Sequence, residues 1–264
     1  MLALLAAAPA VAAMPSLARA QDSRERRELY ASPSALIKPP RLKQGDLVGL
    51  IAPGGNMDDD GLQKCVRNLE SIGMRVKLGK HVRAQHGAYA GTVAQRREDL
   101  QGMFEDREVN AIWAARGGQG CIALLPLLDY AAIRANAKIL IGYSDITALH
   151  LALYRKAGLI TFHGPVASST FSPYSVLHMQ NVLMAPQPEY TISMADENQL
   201  KALTAPQFEA RAFHHGIVEG RLTGGNLSLV SALAGTPYAA RFAGHIAFLE
   251  EIDEAPHRID RMLA

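Results

Sequence analysis

The chain has 264 residues, of which 48% are hydrophobic and 20% charged, and it carries a net charge of +2. That length suits one large or two modest domains, and that composition is ordinary for a globular protein able to bury a core. No basic block is long enough to track a nucleic acid. Two cysteines, Cys65 and Cys121, make neither a disulfide framework nor a zinc site, although a single bridge between them stays open.

Residues 2–13, LALLAAAPAVAA, are small and apolar, and Ala18-Arg19-Ala20 reads as a small-x-small cleavage site before Gln21. Residues 1–20 therefore resemble a secretory signal peptide, although Leu2 follows Met1 directly and no basic stretch precedes the apolar run. Proline interrupts the run, which is too short to span a membrane as a helix. The expectation is export to the periplasm, with no stable membrane insertion. Residues 21–42, charged and proline-containing, read as an N-terminal arm.

From residue 43 to 166 strand and helix patterns alternate. Asp46 to Gly55, DLVGLIAPGG, is a short apolar strand closed by a tight turn. An amphipathic helix follows, with Leu62, Cys65, Val66 and Leu69 at helical spacing. MRVKLGKHV is the next strand, TVAQRREDLQGMFED the next helix and VNAIWAA the third strand, ending in Arg116-Gly117-Gly118-Gln119-Gly120. IALLPLLDYAAIRAN reads as a helix with a proline inside, AKILIGY as the fourth strand and ITALHLALYRKAG as its helix. Four such repeats predict an α/β fold with a parallel sheet and helices on both faces. Ligands of such sheets bind at the carboxyl ends of the strands. Pro53-Gly54-Gly55, Arg116–Gly120 and Gly142–Asp145 all sit at such ends and are expected to share one rim.

Residues 167–212 are rich in Ser, Thr, Pro and Gln and read as a linker with short strands. Residues 213–264 read as a smaller, partial C-terminal α/β domain. It comprises a strand, a Gly-Gly-Asn turn, a helix, the strand HIAFL ending in Glu250 and Glu251, and the start of another helix. About 50 residues with one or two strands make a poor independent core, so this domain looks truncated.

Three constellations could carry chemistry. Ser144 stands where a buried strand turns into a helix, so it could be a nucleophile with backbone N–H groups beside it, or Ser144 or Asp145 could simply cap the helix. Gly-Tyr-Ser-Asp lacks the second glycine of the Gly-x-Ser-x-Gly elbow. The Arg116–Gly120 backbone could approach an oxyanion, a carboxylate or a phosphate, or be a tight turn, and it has neither common phosphate-loop spacing. Glu250 and Glu251 could orient a histidine or join a metal site with Asp253, Glu254 and Asp260, but no histidine pair stands at ligand spacing. No metal and no cofactor is expected.

YAGTVAQRREDLQGMFEDREVNAIWAARGGQG, KILIGYSDITALHLAL, FHGPV, EGRLTGGNLSLVSALAGTP and FLEEIDEAPHRIDRML, in this order over residues 43–264, resemble the LD-carboxypeptidase family. These are serine peptidases that include murein tetrapeptide carboxypeptidases and microcin C self-immunity peptidases. The resemblance implies Ser144 as nucleophile, Glu250 as the charge-relay carboxylate, and the N–H groups of Asp145 and Gly118 as oxyanion hole. It implies a murein peptide substrate, cleaved at the L,D bond that releases a terminal D-alanine. Hydrolysis of a peptide-nucleotide antibiotic is the alternative within the family, and a non-catalytic periplasmic peptide-binding protein the alternative outside it. A homodimer is expected, and no nucleic-acid partner. The family's histidine lies several tens of residues beyond the glutamate, whereas Ala264 is 14 residues after Glu250, so the chain is expected to be a fragment without its catalytic base. His150, His163 and His257 are the weaker candidates within it.

Overall fold

The computed structural model describes residues 35–264. The signal-like segment 1–20 and the first part of the arm lie outside the described residues. Five strands, β1 (Leu47–Ile51), β2 (Arg75–Leu78), β3 (Ala111–Ala114), β4 (Ile139–Gly142) and β5 (Phe162–His163), form one sheet in the order β2-β1-β3-β4-β5. Every pairing in it is parallel. The chain order reverses beside β1, the topological switch at which such sheets open a crevice.

The sheet is buried on both faces because its apolar residues alternate with period two. Leu50, Trp113 and Ile141 point to one core with helix α1 (Asp59–Ser71). Ile51, Ile112 and Leu140 point to the other with helix α2 (Val93–Glu105). The helix starts are built locally. Asp58 accepts from the Gly61 amide at 2.8 Å, and Thr92 with Gln95 closes a reciprocal capping box on α2.

Four expectations change. The run from Cys121 is two pieces, a 3-10 turn (Cys121–Leu127) and helix α3 (Tyr130–Ala135). Pro126 has no amide to continue a helix, and Asp129 caps a new one by accepting from Ala132. Within 167–212 there are helices in place of short strands. They are α5 (Pro173–Leu183), capped by Ser172 with proline in its first turn, and α6 (Asp196–Ala202), after helix α4 (Thr147–Ala152) in chain order. Gly224-Gly225-Asn226 is the end of strand β6 (Arg221–Asn226) and no turn. Cys65 and Cys121 are free thiols, buried in the cores on opposite faces of the sheet.

Strand β6 runs into helix α7 (Leu227–Ala232). It pairs in parallel with β7 (His245–Glu250), so that Asn226 lies opposite Glu250, and helix α8 (Pro256–Leu263) follows. The glycines of β6 hold φ near +129° and +124°. A Cβ on Gly224 would fall 1.9 Å from the Phe248 oxygen, and one on Gly225 2.6 Å from Thr147 Oγ1. Side-chain-free backbone is therefore what lets this small sheet press against both its partner strand and helix α4. No helix among the described residues is long and apolar enough to cross a membrane.

Candidate active site

The three turns at the carboxyl rim meet. Strand β4 ends in Gly142, where a Cβ would come within 2.9 Å of Ile146 and 3.1 Å of Ala114, so only glycine lets the chain turn there. Tyr143 is extended, and Ser144 then takes φ = +62°. Outside glycine, only Ser144 and Asp253 among the described residues hold positive φ. That left-handed state costs a residue with a Cβ of the order of 1 kcal/mol or more and persists only where its surroundings enforce it.

Ser144 opens a short 3-10 turn (Ser144–Ile146) that leads into α4, and it is half-buried. The capping alternative does not describe this turn. No side chain caps the 3-10 turn or α4, and the Asp145 carboxylate reaches across to accept from the Cys121 amide at 2.9 Å.

The second turn is pressed onto the first. A Cβ on Gly117 would sit 2.9 Å from Ser144 Cβ and 3.0 Å from its Oγ. The Gly117 carbonyl accepts from the Gly55 amide at 2.9 Å, which ties in the turn after β1. Gly118, at φ = +101°, has its α-carbon over Gly55, where a Cβ would lie 2.7 Å from the Gly55 nitrogen. Beneath this loop the buried Arg96 guanidinium donates to the Pro53 carbonyl at 2.7 Å and the Gly120 carbonyl at 3.0 Å. Gly117 and Arg96 escaped the sequence reading. A glycine run does not reveal which member packs on the serine. The signal for Arg96 was a cation four residues before Leu100, on the stripe of α2 that faces the core.

Glu250 ends strand β7 of the small sheet. The Asn226 amide, opposite Glu250 in register, donates to Thr147 Oγ1 at 3.0 Å, three residues after Ser144. The two glutamates differ in state. Glu251 Oε2 accepts from the Ser228 amide at 2.9 Å and hydroxyl at 2.7 Å, and Oε1 from the Ile252 amide and Asn226 side chain. Burial pushes its carboxyl up, but those hydrogen bonds together outweigh it and leave Glu251 below the usual range. Glu250 keeps a buried Oε1 with no hydrogen-bond partner. Burial raises its carboxyl, and the Glu251 charge adds to the rise, against a contribution from Asn226 in the other sense.

None of the three candidate histidines hydrogen-bonds to Ser144 or Glu250 among the described residues. His150 Nε2 lies 2.9 Å from the Gly142 carbonyl, which can only accept, so that nitrogen carries the proton. Burial, with the neighbouring His163, lowers His150 to about 4, and burial also lowers His163. His257 is exposed on α8. No group of three or more His, Cys, Asp or Glu placed to hold a metal ion occurs among the described residues. Glu254 is engaged with Arg258 on the next turn.

A parallel α/β sheet with a strained serine at the carboxyl end of an interior strand and glycine backbone packed on it is an arrangement of the kind that serine hydrolases use. A family model described as the LD-carboxypeptidase N-terminal domain matches residues 48–164, and one described as the LD-carboxypeptidase C-terminal domain matches residues 219–264. The chain is 38% identical over 231 residues to a probable murein peptide carboxypeptidase of Bacillus subtilis, covering 86% of this chain and 68% of that protein. It is 38% identical over 221 residues to the murein tetrapeptide carboxypeptidase of Pseudomonas aeruginosa, covering 82% of this chain and 69% of that one. The crystal structure of an MccF-like protein from Bacillus anthracis superposes with a TM-score of 0.72 at 29% identity, covering 86% of this chain and 74% of that one. The chain belongs to the LD-carboxypeptidase family, a family of hydrolases of the carboxypeptidase type.

Two outcomes follow from this geometry. Ser144→Gly removes the Cβ from a left-handed residue, and unfolding free energy is expected to rise by up to about 1 kcal/mol in urea melts. Glu250 has its folded-state pKa above the unfolded value near 4.5, so the folded protein loses stability as pH rises through that interval. Glu250→Gln is therefore expected to melt above the parent chain at pH 7, with the gap closing below about pH 4.

Proposed function

We propose that the chain carries the nucleophile and the charge-relay acid of a serine LD-carboxypeptidase that releases the terminal D-alanine of murein tetrapeptides. The observation that carries this reading is the positive φ of Ser144, packed against Gly117, at the carboxyl end of β4. Backbone strain of this kind at the end of a central strand exposes a nucleophile, as in the strand-turn-helix elbows of other hydrolases.

In this scheme the Ser144 hydroxyl attacks the carbonyl of the L,D peptide bond and gives its proton to a histidine. The carbonyl oxygen becomes an oxyanion, received by the N–H groups of Asp145 and Gly118. The peptide bond breaks as the histidine returns the proton to the departing D-alanine amine. Water then releases the acyl group from Ser144. Glu250 orients the histidine and balances its charge when protonated. Its unpartnered Oε1 supports that role, because a buried acceptor of this kind is stabilised by an N–H donor. His150 is committed to the Gly142 carbonyl and His257 is exposed, so neither is assigned as that base.

The higher identity to murein carboxypeptidases favours a murein peptide over a peptide-nucleotide antibiotic as substrate. Export to the periplasm through residues 1–20 and a homodimeric state belong to the same proposal.

The test is D-alanine release from a murein tetrapeptide by the full-length protein. Ser144→Ala is expected to lower kcat by at least about 1,000-fold with little change in KM, as loss of a nucleophile does. Equal turnover by the alanine variant would overturn the assignment.

A further inference from the structure

The helical run that follows Ser144 meets the small sheet through two polar contacts, Asn226 N–H to Thr147 Oγ1 at the end of β6 and Tyr154 Oη to His245 Nε2 at 2.9 Å at the start of β7. We infer that the Thr147 hydroxyl is a positioning group for the reaction: it pins the end of β6 to the nucleophile helix and so sets where Glu250 stands relative to Ser144. The inference rests on the proposed roles of those two residues and goes beyond them, since Thr147 touches neither.

Thr147 is fully buried at the start of α4, and its Oγ1 accepts from the Asn226 amide at 3.0 Å. Gly225 lies against the same side chain, with a built Cβ only 2.6 Å from Oγ1 and 2.8 Å from Cγ2. One side chain thus makes both the hydrogen bond and the close contact at this junction. Each end of the junction leads straight to a reacting or orienting group. On the α4 side, Ser144 lies three residues earlier, within the same turn. On the β6 side, Asn226 is the register partner of Glu250, and its own side chain donates to Glu251 and accepts from Leu229 to cap α7. A shift of β6 along α4 would carry Asn226, both glutamates and the start of α7 together.

Energetics make the hydroxyl the selective element. The Asn226 residue is buried, and its amide donates to this oxygen where β6 turns into α7. Leaving a buried amide without an acceptor is costly, whereas a methyl of the same size in place of the hydroxyl preserves the packing volume. The strand would then move to reach another acceptor or water. Misplacement of a catalytic group by about 1 Å lowers turnover by about 100-fold.

The experiment compares Thr147→Val, Thr147→Ala and Thr147→Ser in the full-length protein, with two readouts. The first is amide hydrogen exchange at Asn226. The second is kcat and KM for D-alanine release from a murein tetrapeptide. The expected result is at least tenfold faster exchange at Asn226 and a 10- to 100-fold fall in kcat at nearly constant KM for Val and Ala, at about the estimates above, with Ser close to the parent on both. If Val does not fold, Ala is read in its place. Unchanged exchange and kcat in Val and Ala would overturn the inference, and so would a Ser variant as impaired as Val, because the methyl would then be the active part. Absence of turnover in the parent protein would sink the proposed function instead, and the exchange rates alone would still show whether the hydroxyl holds the strand.

Discussion

The close approach of Gly117 to Ser144 is the contact on which the site depends. Only a residue without a Cβ can pack there against Ser144, which holds the left-handed region at the end of β4. Gly55 anchors the Gly117 carbonyl, Asp145 anchors the amide of Cys121, and Arg96 spans the turns after β1 and β3. Each ties one turn of the rim to another element by hydrogen bonds. A parallel sheet supplies this rim because its strands all end on one side.

The second half of the site is a study in unequal carboxylates. Two adjacent glutamates end β7, yet one is saturated with hydrogen bonds and the other is not. Glu251 holds the α7 start and the turn after β7 in place, which makes it the structural member. Glu250 keeps acceptor capacity buried next to that fixed charge. Evolution tolerates such an arrangement where the unmet acceptor serves a partner in the reaction cycle.

Much of this was legible in the residues. The alternation of short apolar runs with helical spacing located β1 to β4 and their helices, and the glycine-rich strand ends located the rim. Proline and glycine misled where tertiary contacts override local signals. Pro126 splits a run that spacing alone would keep whole. Gly224 and Gly225 read as a turn, but they serve close approach to Phe248 and Thr147, a contact invisible without the partner. Helix α5 had its start written in Ser172-Pro173, a cap followed by a first-turn proline, yet the polar composition around it masked the signal. Ser144 was found by its place at a strand-to-helix break. Its left-handed backbone, and the packing of Gly117 on it, required coordinates.

The central claim is that Ser144 forms a covalent acyl intermediate. The most direct measurement is mass spectrometry of the full-length protein, quenched in acid during turnover of a murein tetrapeptide. The account predicts a tripeptidyl mass added to the proteolytic fragment that contains Ser144, absent from Ser144→Ala. D-alanine release accompanied by an adduct on a different residue, or by undiminished release from Ser144→Ala, would contradict it.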